Sequence, residues 1–150
     1  MKKQFIMAFC LSCLLASTHA QNSEKTFIKE NMEFAAEQYK LMLKLPPQGK
    51  EGKGVMPHST RKDGSTVKAS IYMWTSGFFP GSLWYISEYL NDSALQDSAL
   101  VYTKKMEPVK TFTDNHDIGF MMYCSYGNAN VFAPKSEYKD ILVESARSLC

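Results

Sequence analysis

The 150 residues carry almost no excess of either charge: 17 Lys and Arg stand against 15 Asp and Glu, a formal net of +2. Lys2 and Lys3 supply that excess, and without them the balance is 15 to 15. A basic footprint for nucleic acid and a polybasic patch for a membrane surface are thereby excluded. Cysteine is scarce as well, four in all: Cys10 and Cys13 fall in the N-terminal apolar run, and the remaining two, Cys124 and Cys150, form no C-x-x-C and no metal-type spacing. A zinc site has no ligand set to draw on, and neither metal nor cofactor is expected. The G-x-S-x-G elbow, the phosphate-binding loop and the H-E-x-x-H pair are missing too. No apolar run approaches the ~20 residues that stable membrane insertion of a helix needs. What is present is ordinary globular material. Hydrophobic residues make up 45% and aromatics 13%, enough buriable surface to argue against disorder and for one domain.

The N-terminus reads as an address. Lys2-Lys3 form a short positive region, Phe5 to Ala16 an apolar core, and Thr18-His19-Ala20 a small-residue end before polar Gln21-Asn22-Ser23. This pattern predicts a secretory signal over residues 1–20, cleaved after Ala20, and a periplasmic or secreted product. Lipid attachment at Cys13 is the weaker reading, because Cys10-Leu11-Ser12 is a poor lead-in. Cys10 and Cys13 leave with the signal. Cys124 and Cys150 could form one disulfide in an oxidising compartment, but Cys124 lies in an apolar run and reads as a small core residue.

From Ser23 to about Leu45, Ile28, Met32, Ala35, Tyr39 and Met42 recur at helical spacing, and Pro46-Pro47 should end that helix. Gln48 to Lys68 has no apolar period and reads as an exposed loop, or a short hairpin within it. A helix starting near Gly81 would turn Leu83, Trp84, Ser87 and Leu90 inward. Asn91-Asp92-Ser93 is a turn and N-cap. Leu95, Ala99, Tyr102 and Met106 continue the helical period up to Pro108. Ile118 to Ser125 is apolar nearly all round and predicts a deeply buried short helix. Ser136 can cap a last helix with Tyr138, Ile141, Leu142, Ser145 and Leu149 inward. No strand alternation of useful length exists, so the class is all-α. One-faced helices alternate with helices apolar all round, as two concentric layers require. Five helices cannot close such a ring, so residues 21–150 are expected to be the N-terminal part of a larger helical domain.

Two segments could carry chemistry. Met73 to Trp84 sets Trp74, Phe78, Phe79 and Trp84 beside Gly77 and Gly81. Aromatic platforms next to hydrogen-bond donors suit a saccharide, and glycines let a backbone approach a ligand closely. The competing reading is that the aromatics fill the core and the glycines turn the chain. In Asp114-Asn115-His116-Asp117-Ile118-Gly119-Phe120, titratable residues abut the most apolar helix, the setting of a general acid. The alternative is that Asp117 or Asn115 caps that helix. His19 and His58 have no evident partner.

Taken together, WTSGFFPGSLW (Trp74–Trp84) followed by HDIGFMMYCSYGN (His116–Asn128) resembles the unsaturated glucuronyl hydrolases, glycoside hydrolase family 88. Tyr138-Lys139-Asp140-Ile141-Leu142 and Glu144 to Leu149 are similar to the helix that follows in that family. The resemblance implies a partial (α/α)6 barrel: the first helical hairpins of a six-hairpin toroid. It implies action on unsaturated uronyl oligosaccharides left by polysaccharide lyases. An Asp protonates the C4=C5 vinyl ether, water adds at C5, and the hemiketal opens to release the sugar, so the carboxylate spacing of ordinary glycosidases does not govern it. By motif, Asp117 matches the first of two active-site aspartates, His116 and Phe120 line the pocket beside it, and Trp74 matches an aromatic at the sugar face. The second aspartate would lie beyond Cys150, so the chain alone is expected to be inactive. The alternatives are an unsaturated rhamnogalacturonyl hydrolase and a non-catalytic truncated sugar-binding remnant.

Overall fold

The computed structural model describes the backbone of residues 2–44 and 54–149, with side chains from residue 23 onward within those spans. The Pro46-Pro47 stop, Cys150 and the side chains of the leader, Cys10 and Cys13 included, lie outside the described residues. Two compact units are present, Met1–Ala35 and Ala36–Cys150.

The first unit is helical throughout its described part, within helix α1 (Lys2–Leu43). Its described side chains are mainly polar or exposed. Lys29 and Glu33 pair at 2.7 Å one turn apart, and Phe27, Ile28 and Phe34 face outward. Ile28 therefore does not join the buried stripe that the spacing predicts.

The second unit opens with the end of α1, where Ala36 is buried and Tyr39 stacks on Phe79 at 5.2 Å. A two-stranded antiparallel hairpin follows, β1 (Met56–Thr60) and β2 (Thr66–Ala69), with Met56 opposite Ala69 and Thr60 opposite Thr66. Its turn is built by Asp63, whose Oδ1 accepts from Ser65 N at 2.9 Å, and by Gly64 at φ 84°, a conformation open to glycine. The rest is helical. Helix α2 (Phe78–Leu90) starts three residues before Gly81, because Pro80 falls in the first turn where its missing N–H costs nothing. Asn91 (φ 53°) closes α2 in the left-handed region, and Asp92 N donates to Ser87 O at 3.0 Å. Asp92 then caps α3 (Ser93–Lys105) by accepting from Ala94 N and Leu95 N, both at 3.1 Å. One dipeptide thus ends a helix and begins the next, as the turn-and-cap reading requires.

A 3-10 turn (Glu107–Thr111) holds Pro108. Helix α4 (Ile118–Met122) runs into a π turn (Tyr123–Gly127) and α5 (Asn128–Phe132), and α6 (Ser136–Arg147) packs across them. The core gathers Leu83, Trp84, Leu95, Ala99, Val109, Met121 and Tyr126. Trp84 Nε1 donates to Thr103 Oγ1 at 3.0 Å within it, which satisfies both buried polar groups. Three sequence expectations need correction. Leu90 is only half-buried and Ile86 takes its place inside α2. Ser136 is the first helical residue of α6 and its side chain caps nothing, while Leu149 is exposed. Finally, α4 and its π extension are not buried all round, for Phe120 and Tyr123 point outward.

No helix among the described residues is long and apolar enough to cross a membrane. Cys124 is a free, half-buried thiol, and its burial raises the thiol pKa.

Candidate functional site

The two sequence motifs meet where the start of α2 crosses the junction of α4 with its π turn. A Cβ on Gly77 would lie 2.7 Å from Phe120 O and against Met121 O, and one on Gly81 would lie 2.7 Å from Cys124 O. The glycines therefore answer a packing need. They let one helix backbone rest on another, which no residue with a side chain permits. Asn128 completes the crossing. Its N–H follows the π register to Tyr123 O, and its side-chain Nδ2 takes the Cys124 carbonyl at 2.9 Å.

This contact brings three rings together at the N-terminal ends of both helices. Trp74 and Phe78 meet edge-to-face at 5.8 Å and 86°, and Phe78 and Phe120 at 6.3 Å and 77°. All three stay open to solvent, at 45% for Trp74, 39% for Phe78 and 54% for Phe120. A flat ligand face could cover them. Trp84 and Phe79 divide from this group: both are buried, as the core reading requires, while Trp74 and Phe78 stay open to solvent. Phe78 is the ring whose role beside Trp74 and Phe120 the sequence did not single out. Its place at the first position of α2 is the signal that could have found it.

Asp117 stands one turn before Phe120 and is joined to it by the Asp117 O to Phe120 N bond of 2.9 Å. Its carboxylate makes no capping bond to α4. Asn115 does the local holding instead, with Oδ1 accepting from Asp117 N at 2.8 Å. Freed from capping, the Asp117 side chain is 25% exposed and lies 3.6 Å from His116 Nε2, too long for a good hydrogen bond. His116 is almost wholly exposed, so it stands at the rim of this group without packing into it. Among the described residues no group of three or more His, Cys, Asp or Glu side chains is placed to hold a metal ion.

No family model matches the chain. It is 46% identical over 77 residues to an unsaturated glucuronyl hydrolase of Formosa agariphila, a stretch covering 51% of this chain and 19% of that protein. A solved structure of an unsaturated glucuronyl hydrolase specific for heparin superposes with a TM-score of 0.70 at 34% identity, over 81% of this chain and 31% of that one. The chain thus spans less than a third of the length of either relative. It resembles unsaturated glucuronyl hydrolases in sequence and in fold, with the partial coverage that an N-terminal portion of the α/α barrel gives.

Proposed function

We propose that residues 21–150 supply part of the saccharide site of an unsaturated glucuronyl hydrolase. Such an enzyme removes the unsaturated glucuronyl residue from the non-reducing end of lyase-generated oligosaccharides. Asp117 acts on the vinyl ether, as the first of two aspartates. Trp74 and Phe120 take the apolar face of the sugar ring, and His116 borders the carboxylate. The observation that carries this reading is the uncapped Asp117 carboxylate, one turn from an exposed ring and joined through Phe78 to Trp74. A carboxylate kept only to hold a helix would be spent on backbone N–H groups. The oligosaccharide need not be heparin-derived for this chemistry. Export belongs to the same reading, with residues 1–20 cleaved as a leader after Ala20, supported by the Lys2-Lys3, Phe5–Ala16 and Thr18-His19-Ala20 pattern.

The test separates chemistry from fold. Asp117→Asn, in a protein that supplies the rest of the barrel, should lower turnover of an unsaturated uronyl disaccharide by roughly a hundredfold or more. Loss of the double bond's ultraviolet absorbance follows the reaction. Stability should stay within about 0.5 kcal/mol, since the carboxylate caps nothing. Near-normal turnover in Asp117→Asn would overturn the assignment. For export, N-terminal sequencing of the secreted material should begin at Gln21, and an intact Met1 would refute it.

A further inference from the structure

A second opening lies beside the aromatic group. A solvent-open cavity of about 330 Å3 lies between the β1–β2 hairpin, the C-terminal end of α1 and the start of α2, at the lower end of the ~300–1,000 Å3 that small-molecule sites occupy. Aromatic rings form one wall: Phe78, and the stacked pair Tyr39 and Phe79. Hydroxyl groups come from the cross-strand partners Thr60 and Thr66 and from Thr75. No Lys, Arg, Asp or Glu is among the residues that line it. Thr75 Oγ1 is buried and has no hydrogen-bond partner among the described residues. A buried hydroxyl left unpaired costs free energy that a bonding ligand would return.

We propose that this cavity binds an uncharged pyranose ring, a saccharide site separate from the Asp117 carboxylate. The C–H faces of such a ring pack on Tyr39, Phe78 and Phe79, while its hydroxyls exchange hydrogen bonds with Thr60, Thr66 and Thr75. A uronate or a sulfated ring would meet no Lys or Arg there, and only the exposed His58 imidazole at the hairpin edge could face its charge, so little offsets its loss of water. Phe78 links the two places, because the ring that lines the cavity also meets Trp74 and Phe120. The site therefore selects for an unsulfated, neutral sugar whether or not Asp117 performs chemistry.

The experiment is a titration of the isotopically labelled full chain with methyl β-D-glucopyranoside, followed by amide chemical shifts, and a parallel titration with glucuronate. Saturable shifts are expected at Thr60, Thr66 and Thr75, with affinity for glucuronate at least tenfold weaker. Thr75→Val loses no hydrogen bond within the protein, so it should keep the melting temperature and weaken the glucoside at least fivefold. Thr66→Val, on a strand that favours valine, should weaken it in the same sense. Absence of saturable shifts at the three threonines, equal affinity for glucuronate, or unchanged binding in both variants would overturn the proposal. Asp117→Asn separates the two sites: it should leave the glucoside titration of this chain unaltered, whatever it does to turnover in a protein that supplies the rest of the barrel.

Discussion

Replacing Gly77 by alanine sets two opposed effects against each other. Its backbone lies in the ordinary helical region, at φ −70° and ψ −20°, so alanine adopts it without strain. Restricting the unfolded chain then favours the variant by about 0.4–1 kcal/mol. Space acts the other way. The new Cβ would lie 2.7 Å from Phe120 O and closer still to Met121 O, and contact becomes ordinary only at 3.4 Å, so the two backbones must part by more than roughly 0.7 Å. Backbone cannot give as a flexible side chain does. Met121 O is further held by Ser125 Oγ at 2.7 Å. Overpacking of this kind costs about 1–3 kcal/mol, and a net loss of about 1–2 kcal/mol is expected once the chain-entropy gain is subtracted. Gly81→Ala, 2.7 Å from Cys124 O, should lose a similar amount. The two share one crossing, so their double variant should lose less than the sum.

Gly119→Ala is the internal control. It lies in α4 of the same site, yet a Cβ there meets nothing within 4 Å. It should stabilise by about 0.4–1 kcal/mol. Urea unfolding of the three variants, compared by midpoint at equal slope, measures all of this. If Gly77→Ala and Gly81→Ala unfold with the parent, or if Gly119→Ala loses as much as they do, the backbone-contact argument is wrong.

Three further outcomes can be measured on the same chain. Hydrogen bonding from Leu95 N and the Lys40 ammonium at 3.2 Å hold the Asp92 carboxyl below its ordinary value. Its stabilisation is therefore full above pH ~4 and lost as pH falls through the folded value; Asp92→Asn should flatten that acid limb, and Asp92→Ala should cost about 1 kcal/mol at neutral pH. Asn128→Asp cannot donate to Cys124 O and should destabilise by about 1–3 kcal/mol in thermal melts; parent-like melting would mean the side-chain bond contributes nothing. Trp84→Phe leaves the fully buried Thr103 hydroxyl unpaired and should cost roughly 2–3 kcal/mol, of which Thr103→Val in the same chain recovers part; a purely additive double variant would refute the pairing.

The helices were legible where a local device encodes them. Asp92 caps because its short carboxylate reaches two N–H groups, and Asn91 tolerates the left-handed region; both facts sit in three consecutive letters. The hairpin was only half legible. Lys62-Asp63-Gly64 is a turn signal, but His58, Ser59 and Thr60 are exposed, so β1 has no buried face to write an alternating pattern. The π turn left no trace, since nothing in Tyr123 to Gly127 distinguishes one hydrogen-bond register from another. Apolar composition likewise misled over Phe120 and Tyr123: it reports what a residue could bury, never which neighbours are there.

The candidate site shows why a motif can be read correctly and for an incomplete reason. Trp74 and Trp84 are ten positions apart in one aromatic segment, and composition alone gives both the same standing. Their fates differ because α2 begins between them. Trp84 lies along the helix beneath α3, where Thr103 satisfies its N–H. Trp74 precedes the helix and stays at its open end. What fixes that end is Gly77, whose missing Cβ lets the Phe120 and Met121 carbonyls approach. The residue spacing that resembles a sugar-binding loop is thus first a packing requirement between two segments some forty residues apart. A larger residue at 77 should move Phe78 away from Phe120 before it disturbs any substrate contact. The aromatic group and the Asp117 turn depend on the same close backbone contact.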